Sequence, residues 1–356
     1  MWPDGADAEG GAIVAIDVKT GQILVCASYP TYDLSTFFED YDALMEDEYT
    51  PLYNRALQAS YPPGSTYKMV TLIAAMESGV LKPGETITDL GRYMKYANEG
   101  FYPICLAWKY RETHGVCDAA KALEKSCNYF FYELGDRLSI NVLDNVAKKM
   151  GLGEPTGVEL AEDVGQRANR EKKKELYIGF DSGWFTADQI LAAIGQSINR
   201  FTPMQLCVYT TTLANRGVRR QATFMNRVVS ADYQELLLES EPKVVDTLYI
   251  SDATYDAILE GMIRVNGPEG TAKGYFDDFP NTAAGKTGTA EDDPSGSDNG
   301  AYICFAPVED PQIAIAIYVE KGGHGNTMAM AARYIIEDYL TVEEVKDVAS
   351  YENKRS

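Results

Sequence analysis

Apolar residues along this 356-residue chain fall into two kinds of spacing, one with the period of strands and one with the period of helices. Residues 11–17 and 22–28 are runs rich in Ile and Val, joined by Val18-Lys19-Thr20-Gly21, and they predict a β-hairpin. A polar, acidic and aromatic stretch follows at 32–55. Tyr61-Pro62-Pro63-Gly64 then punctuates the chain before residues 65–78, which predict a helix stopped by Gly79. Its apolar positions (Met69, Val70, Leu72, Ile73, Ala74, Ala75, Met76) nearly encircle it, so the helix belongs at the centre of the fold.

From about residue 118 to 220 the spacing is helical. Residues 119–126, 129–137, 142–150 and 188–198 are the clearest segments, and 203–215 follow a start signal at Thr202-Pro203. One polar interruption, 163–182, carries Lys172-Lys173-Lys174 and predicts a solvated, mobile loop. Beyond 250, a helix at 253–265 precedes strand-like runs at 282–289, 301–305 and 313–319. A loop at 291–300 and a turn at Asp310-Pro311 link these runs, and 328–340 closes as a helix. Strands, a helical block, strands and a helix, in that order, predict an α+β fold. Both ends of the chain build one antiparallel sheet, flanked by helices, with an all-helical subdomain inserted between them. The sheet subdomain is expected at about 1–60 and 250–356, and the helical one at about 61–220.

Composition narrows the classes of function. Lys and Arg number 32 against 53 Asp and Glu, a formal net charge of −21 that disfavours unaided nucleic-acid binding. Neither a run of ~18 apolar residues nor the layout of a signal peptide is visible. Six cysteines (Cys26, Cys105, Cys117, Cys127, Cys207, Cys304) are too few for a disulfide scaffold and read as buried free thiols. The only histidines are His114 and His324, which disfavours a Ser-His-Asp triad.

Three short motifs carry the candidate chemistry. Ser65-Thr66-Tyr67-Lys68 opens the buried helix, and a three-residue separation puts Ser65 and Lys68 on one helical face. Serine needs a base to become a nucleophile, and burial makes the neutral lysine amine accessible. Ser240-Glu241-Pro242-Lys243 repeats the spacing, but Pro242 spoils the helix there. Ser-x-Asn occurs four times. Ser139-Ile140-Asn141, Ser197-Ile198-Asn199 and Ser297-Asp298-Asn299 read as connectors or caps, whereas Ser126-Cys127-Asn128 sits between packed helical runs. Lys-Thr-Gly occurs in a hairpin turn at Lys19-Thr20-Gly21 and in a strand at Lys286-Thr287-Gly288, continued by Thr289-Ala290. Gly285 and Gly288 let a ligand approach the second copy closely, and the hydroxyls and cation there suit an extended peptide ending in a carboxylate.

Ser-x-x-Lys, Ser-x-Asn and Lys-Thr-Gly in this order resemble the signature of penicillin-binding proteins and serine β-lactamases. The resemblance is closest to class B penicillin-binding proteins of the elongation type. It extends over Pro63-Gly64-Ser65, Tyr129-Phe130-Phe131-Tyr132, Gly151-Leu152-Gly153, Ile194-Gly195-Gln196-Ser197 and Thr289-Ala290-Glu291, covering about residues 11 to 340. It implies a penicillin-binding transpeptidase fold and a peptidoglycan D,D-transpeptidase that β-lactams acylate. By resemblance, Ser65 is the nucleophile, Lys68 its base and Ser126 a proton relay. Asn128 holds the substrate amide, and Lys286, Thr287, Gly288 and Thr289 bind the terminal carboxylate, with backbone N–H groups of Ser65 and Thr289 as the oxyanion hole. No metal or organic cofactor is implied for the reaction. The implied partners are peptidoglycan stem peptides, β-lactams and, for a full-length relative, an elongation-complex membrane glycosyltransferase. The implied location is the extracytoplasmic face of the cell membrane.

Relatives of this type carry a membrane anchor and a pedestal ahead of the catalytic domain, so the chain reads as a catalytic domain without them. A β-lactamase or a β-lactam sensor of the same fold is the alternative reading; the chain is longer than such hydrolases and resembles them less. Cys105, His114 and either Cys117 or Cys127 form a candidate zinc set, at a spacing that matches no standard finger. His324, between two glycines, reads as a cleft-edge or solvent residue.

Overall fold

A computed structural model describes residue 5, residues 7–292 and residues 296–346, with residues 342–346 described by backbone alone. The N-terminal hairpin forms as β1 (Gly10–Asp17) and β2 (Ile23–Tyr29). Its turn is held by Asp17 Oδ1, which accepts from Lys19 N (2.9 Å), Thr20 N (2.7 Å) and Thr20 Oγ1 (2.9 Å), so that Lys-Thr-Gly copy is a turn. The acidic stretch contains helix α1 (Phe37–Glu46), which buries none of its residues. A short 3-10 turn (Gly64–Tyr67) runs into α2 (Lys68–Glu77), whose first eight residues are buried.

Next come the short strands β3 (Ile87–Asp89) and β4 (Gly115–Cys117), then α3 (Ala119–Glu124), α4 (Asn128–Arg137) and α5 (Ile140–Lys149). Ser139 Oγ accepts from Asn141 N at 3.3 Å, so its Ser-x-Asn copy is a helix cap. The expected mobile loop at 163–182 instead holds a helix, α6 (Arg170–Leu176). Lys173 is buried there, ion-paired with Asp188 and 4.8 Å above the Phe185 ring. A charge run is solvated only where no partner folds over it, and here a partner does.

Helix α7 (Thr186–Ala192) ends six residues earlier than the spacing predicts, because the chain turns through left-handed Gly195 and Ser197. Helix α8 (Pro203–Ala214) is buried at every position and starts with a capping box in which Thr202 and Gln205 bond reciprocally at 3.1 Å. Strands β5 (Val218–Arg220), β6 (Arg227–Val229), β7 (Leu236–Glu239) and β8 (Val244–Thr247) form two small two-stranded sheets, β5-β8 and β6-β7. The last elements are α9 (Asp252–Asn266), β9 (Ala284–Ala290), β10 (Asn299–Ala306), β11 (Ile313–Glu320) and α10 (Met328–Lys346). Part of the expected 291–300 loop, residues 293–295, lies outside the described residues, as do residues 1–4.

The main sheet has the order β2-β1-β11-β10-β9 and is antiparallel throughout. Its register pairs Ile13 with Ile317 and Tyr302 with Thr287. Strand β10 is buried at all eight positions because it is covered on both faces, by α8 on one and α10 on the other. Helix α8 falls within the helical part of the sequence, yet it packs against β1, β10 and β11. Strand β9 closes the sheet, so its outer edge is free to form one wall of a cleft against the 3-10 turn. Among the described residues no helix is long and apolar enough to cross a membrane.

Candidate active site

Between residues 61 and 75 every residue is buried except Ser65, which is half-buried and so the one position of this segment open to a ligand. The turn beneath it is tied down from several sides. Gly64 N donates to Gly195 O (3.0 Å), Thr66 Oγ1 to Pro63 O (2.7 Å) and Tyr209 OH to Thr66 O (3.2 Å). Gly64 has φ +52°, and a Cβ there would stand 2.5 Å from Thr289 O, so only glycine lets the serine turn sit this close to β9. Gly288 faces the same contact from the other side, with a would-be Cβ 2.9 Å from Thr66 Cγ2. Arg200 locks the far end: Nε donates to Ser60 O (3.1 Å), and its guanidinium grips Asp292 at 2.9 and 3.0 Å.

Lys68 is fully buried at the start of α2. Its Nζ donates to Ser126 O (2.8 Å), Ser126 Oγ (3.1 Å) and Asn128 Oδ1 (2.7 Å), and lies 5.3 Å from the Phe131 ring centroid. Burial pushes its pKa down to about 8, against an upward pull from Cys105 and Cys127. Lys286, also fully buried, donates to Ser126 Oγ (3.0 Å) and to Thr287 O (2.8 Å). Its pKa lies well below the usual lysine range, first through burial and then through repulsion from Lys68.

Ser126 holds a left-handed backbone, φ +53°, between α3 and α4, an uncommon state for a residue with a side chain. Its Oγ accepts from both lysines, which occupies both lone pairs and leaves its own proton to donate elsewhere. Asn128, at the first position of α4, offers its amide NH2 because Oδ1 is taken by Lys68. On β9, Thr287 Oγ1 is 2.7 Å from Thr271 Oγ1, and Thr289 is half-buried. The structure thus brings Lys68, Ser126, Asn128 and Lys286 into one hydrogen-bonded cluster beside the Ser65 turn and Thr287 to Thr289. Thr271 joins them without a motif to mark it, and Phe131 comes from the aromatic run that follows Asn128. His324 is exposed in the turn between β11 and α10.

A second cluster lies directly behind Ser126. Asp89, Cys105, His114 and Cys127 bring one ligand atom each to within 4.8 Å of one another. Cys105 Sγ is 3.4 Å from His114 Nδ1 and 3.9 Å from Cys127 Sγ. Asp89 Oδ2 is 2.9 Å from His114 Nδ1 and 3.6 Å from Cys127 Sγ. Tetrahedral zinc with these donors sets ligand separations of about 3.3–3.8 Å; those here bracket that range, from the 2.9 Å Asp89–His114 hydrogen bond to a 4.8 Å limit, and the donor types are those that zinc takes. Hydrogen bonds with Cys127 and, more weakly, His114 pull Cys105 below the usual thiol range, against the burial that raises it. Of the two cysteines left open by the spacing, Cys127 joins the set and Cys117 stands behind it, its Sγ 3.8 Å from His114 O. Asp89 escapes sequence reasoning because an acidic residue 16 positions ahead of Cys105 carries no ligand pattern. All six cysteines are free.

A half-buried serine beside two buried lysines, on a five-stranded antiparallel sheet covered by helices, sets the class, and the chain belongs to the penicillin-binding protein transpeptidase domain family, which matches residues 11–338. Within it the similarity runs to elongation-type class B members. The peptidoglycan D,D-transpeptidase MrdA of Haemophilus influenzae is 31% identical over 369 residues, covering 96% of this chain and 54% of that protein. MrdA of Escherichia coli K12 is 31% identical over 359 residues, covering 95% and 55%. The chain therefore spans about half the length of these curated relatives. Among solved structures, Pseudomonas aeruginosa PBP2 in complex with WCK 5153 superposes with a TM-score of 0.81 at 29% identity, covering 93% of this chain and 71% of that one. Helicobacter pylori PBP2 in complex with MreC gives 0.79 at 29% identity, covering 93% and 60%.

Proposed function

We propose that this domain is a peptidoglycan D,D-transpeptidase that takes the D-Ala-D-Ala end of a stem peptide as acyl donor. The observation that carries the reading is the convergence of two buried lysines on Ser126 Oγ beside the one accessible residue of the buried 61–75 segment. Neutral Lys68 takes the Ser65 proton as Oγ attacks the carbonyl of the penultimate D-Ala. The resulting oxyanion sits between the backbone N–H groups of Ser65 and Thr289, near the positive end of α2. Asn128 aligns the peptide amide, and Thr287 and Thr289 hold the terminal carboxylate. An arriving carboxylate favours the ammonium form of Lys286, offsetting the burial that opposes it. Ser126 passes a proton to the leaving D-Ala, and an acceptor amine from a second stem peptide then resolves the ester.

β-Lactams present the same carboxylate and acyl group and stop at the ester. Incubation with a fluorescent penicillin is expected to give a lasting 1:1 adduct by mass, absent in Ser65→Ala. Rapid loss of the label would indicate a hydrolase, and a lasting adduct without cross-linking of lipid-linked strands a sensor. The domain works outside the cytoplasmic membrane, beside a membrane glycosyltransferase. The sheet with its α8 and α10 covers supports β9, and the helices of the 61–220 region carry the other wall of the cleft.

The Asp89, Cys105, His114 and Cys127 set would hold a zinc ion with a structural role. Bound there, the ion would supply a cross-link between the segment 89–114 and Cys127, the middle residue of Ser126-Cys127-Asn128. Elemental analysis is expected to find one zinc per chain, lost in Cys127→Ala and kept in Cys117→Ala. An unchanged metal content in Cys127→Ala would remove that residue from the ligand set.

A further inference from the structure

Thr287 Oγ1 is nearly buried at 8% residue exposure, and among the described residues Thr271 is the one side chain bonded to it, at 2.7 Å. Thr271 lies between α9 and β9, where the neighbouring Ala272 N donates to Val265 O at 2.9 Å and holds the backbone in place. Each hydroxyl carries one proton and can accept from others. The bond between the two threonines therefore has two polarities. If Thr287 gives its proton to Thr271, a lone pair faces the cleft and repels an anion. If Thr271 gives its proton to Thr287, the Thr287 proton is released toward the cleft.

We propose that Thr271 is a positioning residue that donates to Thr287 Oγ1 and thereby fixes Thr287 as a hydrogen-bond donor to the substrate's terminal carboxylate. This rests on the carboxylate-binding role assigned to Thr287 above. The polarity is self-reinforcing: the Thr271 dipole also directs its positive end toward the site where the anion binds, and chains of such bonds strengthen one another. No proton is transferred, and Thr271 touches no reacting atom.

The test compares acylation rates for a penicillin with a free carboxylate and for its methyl ester, in the intact chain and in Thr271→Val, Thr271→Ser and Thr287→Val. The ratio of the two rates reports carboxylate recognition and cancels general damage to the cleft. Thr271→Val, which keeps shape and removes the donor, is expected to lower that ratio about tenfold, as loss of a bond to a charged group does. Thr271→Ser restores it. Equal loss for both ligands in Thr271→Val, or a Ser variant no better than Val, overturns the proposal. Should Val disturb folding, seen as a lowered melting temperature, the Ser variant against Thr271→Ala reads the same ratio. A ratio unchanged in Thr287→Val removes the carboxylate role itself. A ratio lowered in Thr287→Val but kept in Thr271→Val removes only the role of Thr271.

Discussion

Two buried lysines directed at one serine hydroxyl set the pH response of the site. On the proposed mechanism the base is the neutral amine of Lys68, whose pKa burial draws down to about 8. Below that pH the amine is protonated and each further unit leaves about a tenth as much free base. Acylation of Ser65 by penicillin is therefore expected to rise about tenfold per pH unit up to near 8 and then level off. A rate flat between pH 6 and 9 would show that Lys68 is not the titrating base. Ser65, Lys68 and Lys286 are legible in the sequence because their spacing encodes the geometry: one helical turn, and one strand with glycines on both sides. Thr271 and Asp89 are not. Each meets its partner only after the chain has folded back, Thr271 from a loop 16 residues before Thr287, and Asp89 from a three-residue strand.

Elements show the same division between local and long-range information. Most strands and helices with strong spacing emerge where the pattern puts them, α7 ending six residues short, but 163–182 does not, since its outcome depends on a residue outside it. The Lys173 and Asp188 side chains are 9% and 16% exposed, and Asp188 Oδ2 also accepts from Phe185 N at 2.9 Å. Removing one member of such a pair leaves the other buried and unpaired. Lys173→Ala is expected to lower stability by about 2–4 kcal/mol in urea unfolding. Lys172→Ala, whose partner Glu175 is 65% exposed, should change it by less than about 0.5 kcal/mol. Equal effects of the two would mean that α6 is held by something other than this ion pair. Polar composition alone says that a segment is hydrophilic; it does not say whether a carboxylate waits in the fold to receive one of its charges.

At the scale of the molecule, order along the chain foretold the architecture, since apolar runs at both ends with helices between them leave an antiparallel sheet as the natural way to bury both. The small sheets β5-β8 and β6-β7 were not foreseen, because their three- and four-residue strands are too short for a period to show and are mostly exposed. The placing of α8 on the sheet was equally hidden. The mostly apolar sequence of α8, with Gln205 and three threonines buried among its other residues, points to burial but not to what it packs against.

The pairing of β1 with β11 has a consequence in time. Ile13 waits for Ile317, so β1 leaves the ribosome some 300 residues before its central neighbour is made. At roughly 5–20 residues per second that is a delay of about 15–60 s, during which the hairpin β1-β2 exposes an apolar edge with no native partner. A nascent chain of this design needs shelter, from a chaperone or from being threaded onward while still unfolded, until its last strand arrives.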